Sequence, residues 1–257
     1  MELILPVDVI VALAVVAFIA GFVDAIAGGG GLLTIPALLT TGLPAHLVLG
    51  TNKLAATFGS ATAGWTFYRK RLFDPAFWKK SIIGTGIGAA VGALAVNVVS
   101  VDWLEKLLPL LIITIAIYTL CNRTPDASNQ QLPEITPKLQ RTQWLQGLSI
   151  GFYDGFAGPG TGAFWTASNM MLYKMNILLC SGLARCMNFV SNATSLGFFI
   201  ALGHVNFTLG IIMGSAIMAG AWLGAHSAIR FGGRFVRPVF ITMVMALAAK
   251  LAWGAWL

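Results

Sequence analysis

Asp24 and Asp154 are carboxylates set well inside apolar stretches of this chain, and each is followed within a few residues by glycines. The first stretch reads GFVDAIAGGGGLLTIPALL from Gly21, the second GFYDGFAGPGTGAFWTASN from Gly151. Two cations, Lys53 and Arg185, stand early in two further apolar stretches, 132 residues apart. An aspartate in such surroundings can carry a proton, pair with a cation, or cap a broken helix. A lysine or arginine there can attract an anion; the competing reading is a stem that snorkels to the nearer surface. Glycines let the chain turn at positive φ and let backbone approach a ligand. Where a helix begins at such a turn, its first N–H groups and positive dipole end suit an anion. A plain tight bend or close helix packing is the alternative.

Gly29, Gly30 and Gly31 in the first run, and Gly158, Gly160 and Thr161 in the second, are the residues so placed. Asn52 adjoins Lys53. Asn188, Ser191 and Asn192 follow Arg185 at successive spacings of three or four, on one helical face. Such groups also serve as ordinary glue between membrane helices. Neither glycine run is a phosphate loop, because no Gly-Lys-Ser/Thr follows and no GxGxxG spacing is met. His46, His204 and His226 show no ligand spacing, and Cys121, Cys180 and Cys186 form no CxxC pair. No metal and no cofactor is expected.

The elements that must hold these groups are membrane helices. The chain is 57% hydrophobic and 10% charged, with a mean hydropathy of +0.81. Soluble domains carry roughly 25% charged residues. Apolar runs of about 20 residues recur, the length of a helix crossing a bilayer. The net charge of +7 comes from Lys and Arg clustered in short loops, which the positive-inside rule explains without nucleic acid. The N-terminal segment holds Glu2 and Asp8 and no basic residue, so it is read as a retained span rather than a signal peptide. Helices are expected at 9–27, 31–42, 45–67, 81–100, 103–121, 143–157, 161–174, 178–202, 207–228 and 237–256.

The halves repeat. Asp24 and Asp154 stand 130 apart, KLAATFGSAT from Lys53 aligns with RCMNFVSNAT from Arg185, and Gly88-x-x-x-Gly92 aligns with Gly220-x-x-x-Gly224. Pro109 and Pro238 occupy similar places in the last helix of each half. Basic loops follow the third segment of the first half (Arg69, Lys70, Arg71, Lys79, Lys80) but the fourth of the second (Arg230, Arg234, Arg237). Equivalent loops therefore lie on opposite sides of the membrane. The expected fold is an all-α polytopic membrane protein of two inverted-topology repeats. Each repeat has a glycine-broken hairpin or half-helix pair plus three full spans, roughly 8–10 membrane segments in all. Residues 1–121 form the first repeat, 122–142 a cytoplasmic linker loop, and 143–257 the second repeat. The two GxxxG faces join either two helices of one chain or two protomers of a homo-oligomer.

These residues resemble the sulfite exporter TauE/SafE family of bacterial membrane proteins. The carriers are DAIAGGGGLLTIPALL, GTNKLAATFGS, and GFYDGFAGPGTGAF with NFVSNA. The resemblance covers nearly the whole chain and implies movement of small sulfur-containing anions across the inner membrane. One departure is Arg185, where the family pattern carries Lys: a planar fork of donors replaces a point charge.

The function expected is a secondary transporter, not an enzyme. It would move a small anion (sulfite, an organosulfonate or a related carboxylate) across the bacterial inner membrane. Lys53 and Arg185 would attract the anion, the broken helices would present N–H donors, and Asp24 and Asp154 would couple protons. No ATP-binding motif is present. Two readings from other classes stand beside it: an intramembrane enzyme using Asp24 and Asp154, and a non-transporting membrane scaffold.

Overall fold

A computed structural model describes residues 5–96 and 132–256. Among these residues there are nine helices and no strand. They are α1 (Val7–Ala27), α2 (Gly31–Leu39), α3 (Ala45–Arg69), α4 (Lys79–Ala95), α5 (Pro137–Phe156), α6 (Thr161–Tyr173), α7 (Ile177–Ala201), α8 (Phe207–Phe231) and α9 (Gly233–Trp256). The helix expected at 103–121, Pro109, Cys121 and residues 122–131 of the 122–142 loop lie outside the described residues.

Helix starts follow local chemistry. Asn176 accepts from the Leu179 amide at 2.9 Å and Asn206 from the Leu209 amide at 3.0 Å, capping α7 and α8. Thr136 accepts from the Leu139 amide at 3.1 Å, with Pro137 as the first helical residue. That cap starts α5 six residues before the expected 143, so the polar linker ends earlier than the sequence reading placed it. α9 likewise starts at Gly233 rather than 237.

α3 and α7 pack on each other and form the centre. α1 lies along α8, and α5 lies along α4. α2 bridges α1 and α3, as α6 bridges α5 and α7. The glycines make this packing close. A Cβ on Gly88 or Gly92 would collide with the backbone carbonyls of Leu148 or Phe152 on α5. One on Gly220 or Gly224 would collide with those of Phe18 or Phe22 on α1. Both GxxxG faces are thus occupied inside one chain.

The outward faces are apolar. Val7, Val11 and Val15 on α1 are 76%, 55% and 54% exposed, and Ile83, Ile87, Val91 and Leu94 form a similar stripe on α4. Contiguous surface of this kind suits lipid, not water. Two described helices, α1 and α8, are both long and apolar enough to cross a membrane by composition. α3 and α7 fall short because Lys53, Arg185 and their polar neighbours dilute them.

Candidate functional site

Both breaks begin with a glycine at φ 86°, Gly28 after α1 and Gly158 after α5. Gly29 follows at φ 106°, but Pro159 occupies the matching place in the second run. Gly30 is right-handed at φ −52° while Gly160 is left-handed at φ 80°. The two runs touch: a Cβ on Gly162 would sit 2.8 Å from the Gly28 Cα. The tightest contact falls on Gly28 and Gly162, while a Cβ on Gly31, within the expected Gly29–Gly31 run, would sit 3.8 Å from the Pro159 Cα.

Lys53 and Arg185 are each the ninth residue of a 25-residue helix. Neither snorkels. Lys53 is 4% exposed and Arg185 0%. Each pairs with the aspartate of the other half. Lys53 Nζ donates to Asp154 Oδ1 at 2.8 Å and to the Asp154 carbonyl at 2.5 Å. Arg185 Nη1 lies 3.6 Å from Asp24 Oδ2, and Nη2 donates to the Gly162 carbonyl at 3.2 Å.

The aspartates are used differently. Asp24 Oδ1 accepts from the Gly29 and Gly30 amides, both at 2.9 Å. Two N–H groups assigned from sequence to a bound anion are thus held by the chain's own carboxylate. Asp154 cannot do the same, because Pro159 has no N–H. Its Oδ2 accepts instead from the Ser191 hydroxyl. Ser191 has Gly59 as its repeat counterpart, so the first half has no equivalent donor.

A cavity of about 40 Å³ lies between the breaks. Its wall brings together Asp24, Gly29, Gly30, Gly31, Asn52, Lys53, Asp154, Gly158, Gly160, Thr161, Asn188 and Asn192, residues singled out in the sequence. Arg185 and Ser191 stand behind this wall. Thr34 and Ile217 belong to it but were missed. Thr34 Oγ1 donates to Asn52 Oδ1 at 2.5 Å; its sequence signal was its place one turn beyond Gly30.

Several donors around the cavity lack protein acceptors. Arg185 Nε and Nη1 are buried without a hydrogen-bond partner among the described residues. The amides of Gly31, Gly160 and Gly162 likewise have no protein acceptor among them. A buried donor left unpaired costs roughly 1–3 kcal/mol, and more when charged. The arrangement can therefore satisfy an acceptor-only ligand such as an oxyanion. His46 and His204 stack on each other, 4.6 Å apart, away from this cavity. Among the described residues no group of three or more His, Cys, Asp or Glu could hold a metal.

The sequence pattern of the family described as "Sulfite exporter TauE/SafE" matches residues 13–251. A "Probable membrane transporter protein" of Haemophilus influenzae is 37% identical over 252 residues, covering 96% of each chain. "Probable membrane transporter protein ORF9" of Sinorhizobium sp is 37% identical, covering 92% of this chain and 90% of its own. "Probable membrane transporter protein YfcA" of Escherichia coli strain K12 is 35% identical, covering 93% and 88%. No solved structure gives a significant match.

Proposed function

From the premise that the chain belongs to the sulfite exporter TauE/SafE family, we propose that it is a secondary transporter for a small oxyanion. It is a membrane transporter rather than an enzyme. The observation that carries the anion reading is Arg185: fully buried, with Nε and Nη1 lacking hydrogen-bond partners among the described residues, behind the wall of a cavity that broken helices enclose. Asp24 balances its charge from 3.6 Å but accepts no hydrogen bond from it, so these N–H groups are left for the acceptors of a ligand. Sulfite, an organosulfonate or a carboxylate offers several acceptor oxygens and no obligatory donor. The inner membrane of a bacterium is the compartment this reading implies.

The four charged groups sum to zero: Lys53 and Arg185 against Asp24 and Asp154. Adding an anion to a neutral buried quartet leaves an uncompensated charge. Protonating Asp24 removes that problem. It weakens the hold of the carboxyl on the Gly29 and Gly30 amides and leaves the site one positive charge in excess. The anion then binds, and one proton travels with it. Asp24 suits this role because its side chain is 24% exposed, whereas Asp154 is held by Lys53 and Ser191. The anion enters when α2 or α6 shifts, because 40 Å³ holds only a few waters.

The inverted repeat belongs to the same proposal. It is supported by packing in which the first helix of each half lies on the fourth helix of the other. The test is flux in proteoliposomes with a panel of sulfite, methanesulfonate and short carboxylates under an imposed pH gradient. Uptake of at least one, with proton movement alongside, is the expected result. No flux of any anion at verified reconstitution would overturn it.

A further inference from the structure

A second basic site lies between α3 and α8, apart from the central cavity. There a cleft of about 560 Å³ is lined by Thr62, Trp65, Arg69 and Lys70 of α3 and by Trp222 and His226 of α8. Ile217 packed against Gly59 lies nearer the central cavity along the same two helices. The cleft is therefore not needed to build the anion site.

Its chemistry has two parts. Arg69 and Lys70 end α3 and are exposed. The His226 Nδ1 lies 2.8 Å from the Trp222 carbonyl, which can only accept, so Nδ1 carries the hydrogen. The donors offered to a ligand are therefore those of Arg69 and Lys70. Around these polar groups the surface is aromatic and apolar. Trp65 is 61% exposed and Trp222 51%, with Met218 and Leu223 exposed beside them on α8. Trp222 also lies against His226, with ring centroids 4.5 Å apart and the planes tilted by 44°. Tryptophan with basic residues at a helix end marks the level where acyl chains meet headgroups.

We infer that this cleft holds the phosphate headgroup of an anionic phospholipid, with its acyl chains along the exposed apolar edge of α8. A soluble phosphate would account for the cations but not for two half-exposed tryptophans and the aliphatic rim. Basic clefts between helices at the cytoplasmic surface suit anionic headgroups. Placing this end in the cytoplasm rests on the charge asymmetry that underlies the transporter reading; the binding itself does not depend on transport.

Native mass spectrometry of the purified full chain tests it, with phosphatidylglycerol, phosphatidylcholine and inorganic phosphate added in separate arms. Phosphatidylglycerol should be retained preferentially. Arg69→Gln and Lys70→Gln should each weaken that retention roughly fivefold. Arg234→Gln, a basic change outside the cleft, should leave it intact, and unchanged melting temperatures would show that all variants fold. Equal retention of phosphatidylcholine, unaltered phosphatidylglycerol retention in the two cleft variants, or competition by inorganic phosphate alone would each overturn the proposal. Because no anion flux is read, its failure would leave the transport reading standing.

Discussion

Two ion pairs that are equivalent by repeat are unequal in strength, and that difference sets what each residue does. Lys53 and Asp154 are both nearly buried and joined at 2.8 Å. Removing one charge strands the other, at a cost of about 3–5 kcal/mol. Lys53→Met should therefore lower the melting temperature of the purified protein sharply. The double variant Lys53→Met, Asp154→Leu should recover it without recovering transport. Recovery of neither would show that Lys53 does more for folding than pair with Asp154. Asp24 is looser, 3.6 Å from Arg185 and partly exposed. Asp24→Asn should lower the melting temperature less than Lys53→Met does, and should lose anion accumulation driven by a pH gradient while exchange at equal pH persists. Persistent pH-driven accumulation in that variant would remove Asp24 from proton coupling. Lys53, Arg185 and the aspartates were legible in sequence because a charge inside an apolar run has few inexpensive explanations. Their crosswise pairing was not, since it depends on how two halves dock. Thr34 was missed because a threonine in a membrane helix is usually glue.

At the scale of elements, the broken helices owe their shape to a few glycines. Gly28 combines φ 86° with close contact against the Gly162 backbone. Gly28→Ala adds strain of about 1–3 kcal/mol at that φ and pushes the two breaks apart. Flux should fall at least tenfold, whereas Gly42→Ala, also at positive φ (77°) but in open space, should cost stability without changing transport. Equal effects of the two on flux would mean that contact between the breaks is unimportant. The breaks themselves were readable, because four consecutive glycines in an apolar run have no role in a straight helix. Which glycines touch was not readable. Pro159 and Gly29 look interchangeable in an alignment of the halves, yet only Gly29 has an N–H to give Asp24. The early start of α5 was hidden for another reason. Its first turn is polar, and only the Thr136–Pro137 cap marks it.

For the whole molecule, the claims concern how the halves sit in the bilayer and what passes between them. The exchange of basic loops predicts that position 129 and the α7–α8 loop face opposite sides. Asn129→Cys should react with a membrane-impermeant maleimide only in inverted vesicles, and Gly203→Cys only in intact cells with the outer membrane opened. Labelling of both from one side would end the inverted topology. The proposed repeat rests on matched charges and GxxxG spacings in the sequence. That those faces are used inside the chain, and so are unavailable to join protomers, emerged only from the packing of α4 on α5 and α8 on α1. On the proposed reading, an anion in the cavity completes the hydrogen bonding of Arg185. Equilibrium binding tests it most directly, by calorimetry on purified wild type and Arg185→Met with the anion carried best in the flux panel. With helicity and melting temperature matched, the account predicts that the substitution weakens binding by about 10–100-fold, the loss of one or two charge-assisted hydrogen bonds. Equal affinity in the two proteins would contradict it.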